Sequence, residues 1–437
     1  MYDLAVIGLG PAGIEAVNIA LENNLKVIAF EKKEVGGTCL NVGCIPTKAI
    51  IHCADFYSKA KKSSSLGVQF FAEPTFDWGK ILDRKNEIVS KFTRALNLSF
   101  SKKITLINSE AELFLNENDV EIYADDNIYQ AKNLIIATGS TPVVIKGLEP
   151  DNKFIFNSDD VFNFPILPKS IAIVGSGAIG LEWSKIFSDL GVKVKLIEKA
   201  PNIAPMLDID IQKRIERILK NNSIEIYKNN FVKSIFENRV ELNDGTIFEV
   251  DCVLSAVGRV PQLPKIKING CSENYKLQIE DDYTTEFENV FVVGDSCNEQ
   301  LLAHLASYQA RTVMNKILHN KPIIKKEVPA VVYLSPEVAT IGLKEQDVAG
   351  FDDYKILKLP IGSIAKSWCD NQNDGLVKLI VKDRLIKGAH IIANEASSLI
   401  SLIGVFIEKE ITIDEIKDMI FPHPSYSEVI LEVLRGV

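Results

Sequence analysis

"YDLAVIGLGPAGIEAVNIALENNLKVIAFE", Tyr2 to Glu31, reads as a buried strand, a glycine turn, a helix and a second strand that ends on an acid. "KSIAIVGSGAIGLEWSKIFSDLGVKVKLIE", Lys169 to Glu198, repeats that order. Each copy carries G-x-G-x-x-G between strand and helix. Gly8 and Gly175 make the tight turn, Gly10 and Gly177 let backbone approach a pyrophosphate, and Gly13 and Gly180 let helix pack on strand. One glycine set alone reads as easily as an ordinary strand-to-helix turn. Here the strand, the helix and the acid, Glu31 or Glu198, all stand at the expected spacing, twice. The fold class is therefore α/β, with two Rossmann-like dinucleotide-binding units, and two dinucleotides in one chain suggest electron traffic between them. A carboxylate at the second strand's tip accepts from ribose hydroxyls and repels a 2′-phosphate, so Glu198 favours NAD over NADP. Lys199 beside it weakens that preference, because a lysine can face a phosphate.

Composition bounds the rest. A chain of 437 residues fits about three domains by the length prior and has ample core. With 49 basic and 58 acidic residues the net charge is -9, which argues against a nucleic-acid partner. Met1 opens on a strand without a basic n-region, and Gly10 and Pro11 would break a signal h-region. The longest apolar candidate, Leu399 to Ile407, is far too short to span a membrane, so a cytoplasmic protein is expected. Seven cysteines in such a chain point to free, metal-bound or redox-active thiols rather than staples.

Between and after the two units the pattern changes. Asn133 to Pro142, "NLIIATGSTP", reads as a short apolar strand ending in a turn, and Cys252 to Pro261, "CVLSAVGRVP", echoes it; both look like chain returns from a dinucleotide unit. In "TTEFENVFVVGDSC" a strand from Val290 to Val293 delivers Asp295 at its carboxyl end, where it would hold hydroxyls of a flavin's ribityl chain; a plain Gly-Asp turn is the alternative. From Val328 onward, "VVYLSPEVATIGL" and "GLVKLIVKDRLIKGAHII" alternate as an antiparallel sheet does, and helices are predicted at Ala396 to Glu408 and Ile413 to Met419. Lys59 to Gly67, "KAKKSSSLG", reads as a solvated helix end and loop.

"VGGTCLNVGCIPTK", Val35 to Lys48, sets Cys39 and Cys44 five residues apart. Inert burial, a metal site and a redox pair compete. His52 and Cys53 would complete four zinc ligands, but helical neighbours point about 100° apart and do not easily reach one ion. Residues five apart lie about 140° around an ideal helix, so bridging the two sulfurs calls for a distorted first turn. Gly43 loosens the backbone there, and Pro46 removes a helical hydrogen bond and clashes with the carbonyl of Val42. A disulfide in such a turn is easier to reduce than a structural one. Lys48, one turn after Cys44, shares that sulfur's helix face and is placed to stabilise a thiolate or a reduced flavin; alone, it would be a solvated lysine.

With these residues the chain resembles the pyridine nucleotide-disulfide oxidoreductases. "GGTCLNVGCIPTK" looks like that family's signature, its Leu40, Ile45 and Thr47 lean toward the dihydrolipoamide dehydrogenase branch, and "HPSYSE" near the end is similarly specific. The likeness covers nearly the whole chain and implies an FAD domain at 1–143, an NAD domain at 144–263, a return to the FAD site at 264–322 and a C-terminal α+β dimerisation domain at 323–437. It implies Cys44 facing the flavin, Cys39 exchanging with substrate, and Lys48 paired with Glu182 beside the ring. It assigns to FAD Gly8, Gly10, Gly13, Glu31, Gly37, Thr38, Lys48, Thr138, Gly139, Asp295, Ala303 and His304, the last presenting backbone to the ring. To NAD it assigns Gly175, Gly177, Gly180, Glu198 and Gly258; no metal is implied.

In "FPHPSYSE", Pro422 and Pro424 restrict the backbone around His423, and Glu428 is placed to orient the ring and favour its charged form. By itself this would be a surface-loop histidine. In relatives the pair reaches the disulfide of the partner subunit, which implies a homodimer with shared active sites. The expected reaction is oxidation of protein-bound dihydrolipoamide by NAD⁺ through the disulfide and FAD, the lipoyl-bearing protein belonging to a 2-oxo acid dehydrogenase complex or the glycine cleavage system. Rival readings are a disulfide or mercuric reductase of the same family and an NADH-responsive flavin-binding interaction protein. The ending "EVLRGV" carries no second thiol pair, which disfavours mercuric and large thioredoxin reductases. Departures from the family are lost length near Gln262 to Tyr283 and "SWCD" at Ser367 to Asp370, where Cys369 is read as an incidental buried residue.

Overall fold

The computed structural model describes residues 1–115, 120–164, 166–268, 275–297 and 300–436. The strand Tyr2–Ile7 runs at the centre of the first sheet, parallel to Val27–Phe30 on one side and to Asn127–Ile136 on the other. Thr105–Ile107 extends the sheet beyond Val27–Phe30, and Val290–Val292 runs parallel to the end of Asn127–Ile136. The crossover helix Pro11–Glu22 buries Ala12, Ala16 and Ala20, spaced by four, in one cluster with Ala306 and Ala310 of the helix Ala303–His319. Alanines at that spacing form one face of a helix, and their short side chains let the two helices approach closely.

The second copy builds a five-stranded sheet that is parallel throughout, in the order Glu225–Lys228, Lys193–Glu198, Ser170–Val174, Cys252–Ser255, Ile155–Asn157. The helix Ala178–Asp189 buries Leu181, Trp183, Ile186 and Phe187 against it. The two predicted chain returns meet. The first is a longer strand, Asn127–Ile136, followed by Ser140–Pro142; the second splits into Cys252–Ser255 and Arg259–Pro261. Ser140–Pro142 pairs antiparallel with Arg259–Pro261, which stitches the exit of one dinucleotide fold to the exit of the other.

The C-terminal region is an antiparallel sheet in the order Ala330–Val332, Glu337–Gly342, Leu385–Ala393, Leu376–Lys382, Lys355–Pro360. The long alternating stretch from Gly375 turns at Asp383 and Arg384, whose φ angles of 50° and 58° match a tight hairpin. The helix Ala396–Glu408 covers the sheet as predicted. The next helix, Ile413–Lys417, stops before Met419; Thr412 and Glu415 cap its start reciprocally. The strand before Asp295 ends at Val292 rather than Val293. Lys59 to Gly67 is a helix end, a 3₁₀ turn at Ser63–Leu66 and a left-handed Gly67, as its composition suggested. Among the helices the sequence reading passed over are Trp78–Phe100, capped by Asp77, Ile209–Asn221, Ala303–His319 and Glu428–Leu434. The shortened stretch Gln262 to Tyr283 includes 269–274, which lie outside the described residues.

Candidate active site

Both glycine turns have the same geometry. Gly8 and Gly175 take φ of +92° and +100°, and a Cβ at either would sit 2.4 or 2.5 Å from the carbonyl oxygen of Ala137 or Ala256. A Cβ on Gly13 or Gly180 would lie 1.9 Å from the carbonyl oxygen of Gly8 or Gly175, so the helix rests directly on the turn. Gly10 has nothing within 4 Å of that position and Gly177 only the Met206 methyl at 3.7 Å. The helices they precede, Pro11–Glu22 and Ala178–Asp189, have no side-chain cap. Each turn thus offers bare backbone and unpaired helical N–H groups at the positive end of a dipole, which fits a diphosphate. The two acids do something the sequence had not suggested. Glu31 accepts from the Leu9 and Lys33 amides at 2.8 and 2.9 Å. Glu198 accepts from the Ser176 amide and hydroxyl at 2.8 and 2.5 Å and from the Ala200 amide at 2.8 Å. Each carboxylate braces its own glycine turn, and each keeps acceptor capacity beyond these bonds.

Around the first turn the residues expected to hold a flavin gather from distant parts of the chain. Gly37 packs its Cα side against Gly10, and the Gly139 amide donates to the Ser296 hydroxyl at 2.8 Å. The Thr138 hydroxyl donates to the Gln262 carbonyl. Asp295 accepts from the Ser140 hydroxyl at 2.6 Å. Ala303 and His304 open the helix Ala303–His319, again without a side-chain cap, while the His304 ring reaches the Pro329 carbonyl at 2.6 Å. Gly258 takes a positive φ of +112° with open space at its Cβ position. Arg259, which the sequence reading did not single out, ties these segments together. Its guanidinium donates to the Ser140 hydroxyl and carbonyl at 2.9 Å each, pairs with Asp159 at 2.6 Å and reaches the Thr38 hydroxyl at 3.5 Å. The available signal was an arginine inside the otherwise apolar "CVLSAVGRVP".

The cysteine segment is built differently from the distorted helix expected. The short helix Gly37–Asn41 stops at Val42, Gly43 leaves helical geometry with φ -134° and ψ -111°, and Cys44 starts the helix Cys44–Lys61 afresh. Pro46 is the third residue of that new helix, where its missing N–H has no intrahelical partner to lose and Val42 lies outside the helix. The break turns the two sulfurs toward each other. They are free, half-buried thiols joined by a hydrogen bond. The Cys39 thiol is pushed up because it donates that bond and is buried. Cys44 comes down to about 7, first because Cys39 donates to it and then because the Lys48 ammonium lies nearby.

Lys48 contacts both oxygens of Glu182, at 3.0 and 2.8 Å, and Glu182 is almost fully buried. Glu182 also accepts from the Tyr333 amide at 3.0 Å, and the Tyr333 ring lies 4.7 Å from the Lys48 ammonium. The zinc reading finds no support here. His52 is exposed and Cys53 instead contacts Arg84 at 4.0 Å. Among the described residues the one acidic cluster spaced to hold an ion, Asp208, Asp210 and Glu345, surrounds the Lys378 ammonium.

At the other end of the chain His423 Nδ1 meets Glu428 at 2.7 Å, and Glu428 accepts from the Ser425 amide at 2.6 Å on its other oxygen. Both bonds hold the Glu428 carboxyl below its ordinary range. The imidazole is 73% exposed, and among the described residues no hydrogen bond or ion pair joins it to Cys39 or Cys44 of its own chain. Cys369 corrects the sequence reading: it is exposed, at the end of the short helix Ala365–Cys369, not buried.

Two dinucleotide folds, a hydrogen-bonded cysteine pair at a helix start and a separate C-terminal sheet define a flavin-dependent disulfide oxidoreductase. The chain belongs to the pyridine nucleotide-disulphide oxidoreductases: residues 2–310 match that family and residues 328–434 match its dimerisation domain. Its cofactors are FAD and NAD(H). It is 30% identical to the dihydrolipoyl dehydrogenase of Mycoplasma genitalium, over 99% of this chain and 98% of the relative, and 31% identical to that of Bacillus subtilis, over 99% and 97%. It is also similar in structure to RclA, an HOCl-induced flavoprotein disulfide reductase from Escherichia coli, with a TM-score of 0.86, 25% identity and complete coverage of both chains. No helix among the described residues is long and apolar enough to cross a membrane.

Proposed function

We propose that the protein is a dihydrolipoyl dehydrogenase, oxidising dihydrolipoamide on a lipoyl-bearing protein with NAD⁺. The carrying observation is the Cys39–Cys44 pair: one thiol held up, the other drawn to about 7 beside the Lys48–Glu182 ion pair. In this reading the protein is a cytoplasmic homodimer with domains at 1–143, 144–263, 264–322 and 323–437. His423 of one chain, oriented by Glu428, takes a proton from the dithiol, because a free thiol with pKa about 8.5 is mostly protonated at neutral pH. The substrate thiolate attacks Cys39 of the oxidised pair, exchange closes the substrate disulfide, and Cys39 and Cys44 are left reduced. FAD, held by the first glycine turn, Glu31, Thr38, Gly139, Asp295 and the start of the helix at Ala303 and His304, supplies two-electron transfer between the dithiol and NAD⁺. The second turn, with Gly175, Gly177, Gly180 and Glu198, and Gly258 opposite it, holds NAD; Glu198 supports NAD over NADP.

His423→Gln should slow dihydrolipoamide oxidation by about 10²-fold or more while NADH still reduces the flavin at its normal rate. Equal loss of both reactions removes His423 from this role. The likeness to RclA favours a second reading, a reductase of another disulfide substrate. Turnover with NAD⁺ and dihydrolipoamide, compared with NADH and glutathione disulfide or mercuric ion, separates the two.

A further inference from the structure

We infer that Tyr333 is a positioning residue for the redox centre, holding the Lys48 ammonium against Cys44 through the face of its ring. The inference rests on the redox reading of Cys39 and Cys44 and adds to it a residue from the C-terminal region.

Lys48, Glu182 and Tyr333 come from three separate sheets' surroundings and meet at one point. Lys48 lies on the cysteine helix, Glu182 on the helix Ala178–Asp189 of the second fold, and Tyr333 directly after Ala330–Val332 of the C-terminal sheet. Glu182 is 4% exposed and fixes the ammonium from one side. The Tyr333 amide donates to the same carboxylate, so backbone and ring act together: the amide anchors the segment and the ring closes over Lys48 at 4.7 Å. A lysine ammonium over an aromatic face is attracted by the ring quadrupole, more strongly where water is excluded. The hydroxyl of Tyr333 plays no part in this contact.

The ionic surroundings of Cys44 are Cys39 and Lys48 on its own segment and Glu182 from the second fold; Tyr333 faces the group from the C-terminal sheet and has Glu337 of that sheet near it. Burial opposes the thiolate, and Glu182 adds to that as a second negative charge. An ammonium left free to swing toward solvent stabilises Cys44 less. The ring therefore matters by where it keeps the positive charge, and this ties the electrostatics of the disulfide to the part of the chain that dimerises.

The test is the pH dependence of thiolate in two-electron-reduced holoenzyme, followed by the long-wavelength absorbance of thiolate against flavin and by the rate of alkylation with iodoacetamide. Tyr333→Phe keeps the ring face and should leave the midpoint where it is. Tyr333→Leu should raise it by about half a pH unit to one unit. In a Lys48→Met background Tyr333→Leu should cause no further shift. Should the leucine chain fail to retain flavin, pentafluorophenylalanine at position 333 keeps the shape, inverts the quadrupole and should give the same rise. A midpoint equal in the wild-type, Leu and pentafluorophenylalanine proteins overturns the role of Tyr333 while leaving the redox pair standing. Absence of any titrating thiolate in the wild type overturns both.

Discussion

A thiol drawn to about 7 is half ionised near neutrality, and Cys44 owes this to a hydrogen bond from Cys39 and to the Lys48 charge. Because the value is lowered, the thiolate is the form above that pH and is lost as pH falls through it. Alkylation of the reduced protein should therefore rise with a midpoint near 7 at one site, with Cys39 reacting only at much higher pH. Lys48→Met should move the first midpoint up by about one unit; an unmoved midpoint would mean that Lys48 is a bystander. At this scale the sequence was informative where spacing carries chemistry, as with Cys39, Cys44, Lys48, His423 and Glu428. It was silent on Arg259 and Tyr333, since nothing local to "VGRVP" or "VVYLSP" says that their side chains fold back onto Thr38 or Lys48. Cys369 was misread for a related reason: a cysteine between Trp368 and Asp370 carries no periodic signal, and cysteine's general preference for burial filled the gap.

The turns leave no room for a methyl group at Gly13 or Gly180. Gly13→Ala and Gly180→Ala each place a Cβ 1.9 Å from a backbone oxygen that cannot move without the strand, so each should cost about 1–3 kcal/mol of stability. Their consequences should differ. Gly13→Ala should release flavin, measured as free absorbance after gel filtration, whereas Gly180→Ala should keep its flavin and raise the KM for NADH. Similar behaviour of the two variants would contradict the assignment of the two folds. Both turns were legible because strand, turn and helix are written by local rules within thirty residues. The cysteine segment was legible only in part: the sequence pointed to strain at Gly43 and Pro46, but placed it inside one helix, whereas the chain ends one helix and begins another. The helix Trp78–Phe100 was missed although Asp77 caps it, because most of its surface is solvated and its apolar stripe is thin.

Across the whole molecule, Lys378 is fully buried and binds the second fold to the C-terminal sheet through Asp208 at 2.6 and 2.8 Å and Asp210 at 3.0 Å; Glu345 completes its shell, and Lys358 pairs with Asp210 and Glu345 at 2.7 Å each. Burial by itself would raise these carboxyls, yet the lysines hold them low, Asp210 at about 2. Lowered carboxyls stabilise the fold above about pH 4, their unfolded range, and lose that contribution as pH falls toward 2. Lys378→Met leaves buried Asp208 without its partner and should destabilise by about 3–5 kcal/mol. The same variant should flatten the acid limb of a thermal-stability profile; an unchanged limb would place the acid sensitivity elsewhere.

The widest consequence concerns His423, whose ring is exposed and bonded to Glu428 but not to the cysteines of its own chain. If one chain supplies the thiols and its partner the base, His423→Gln and Cys44→Ser homodimers should each be inactive in dithiol oxidation. Unfolding and refolding an equal mixture with FAD makes half the dimers hybrids. In each hybrid one site combines intact Cys39 and Cys44 from the first chain with intact His423 from the second, and the other site lacks both. Two-fold symmetry thus predicts recovery of about a quarter of wild-type turnover, from two inactive parents. A site contained within single chains would recover nothing, since no chain in the mixture carries both groups.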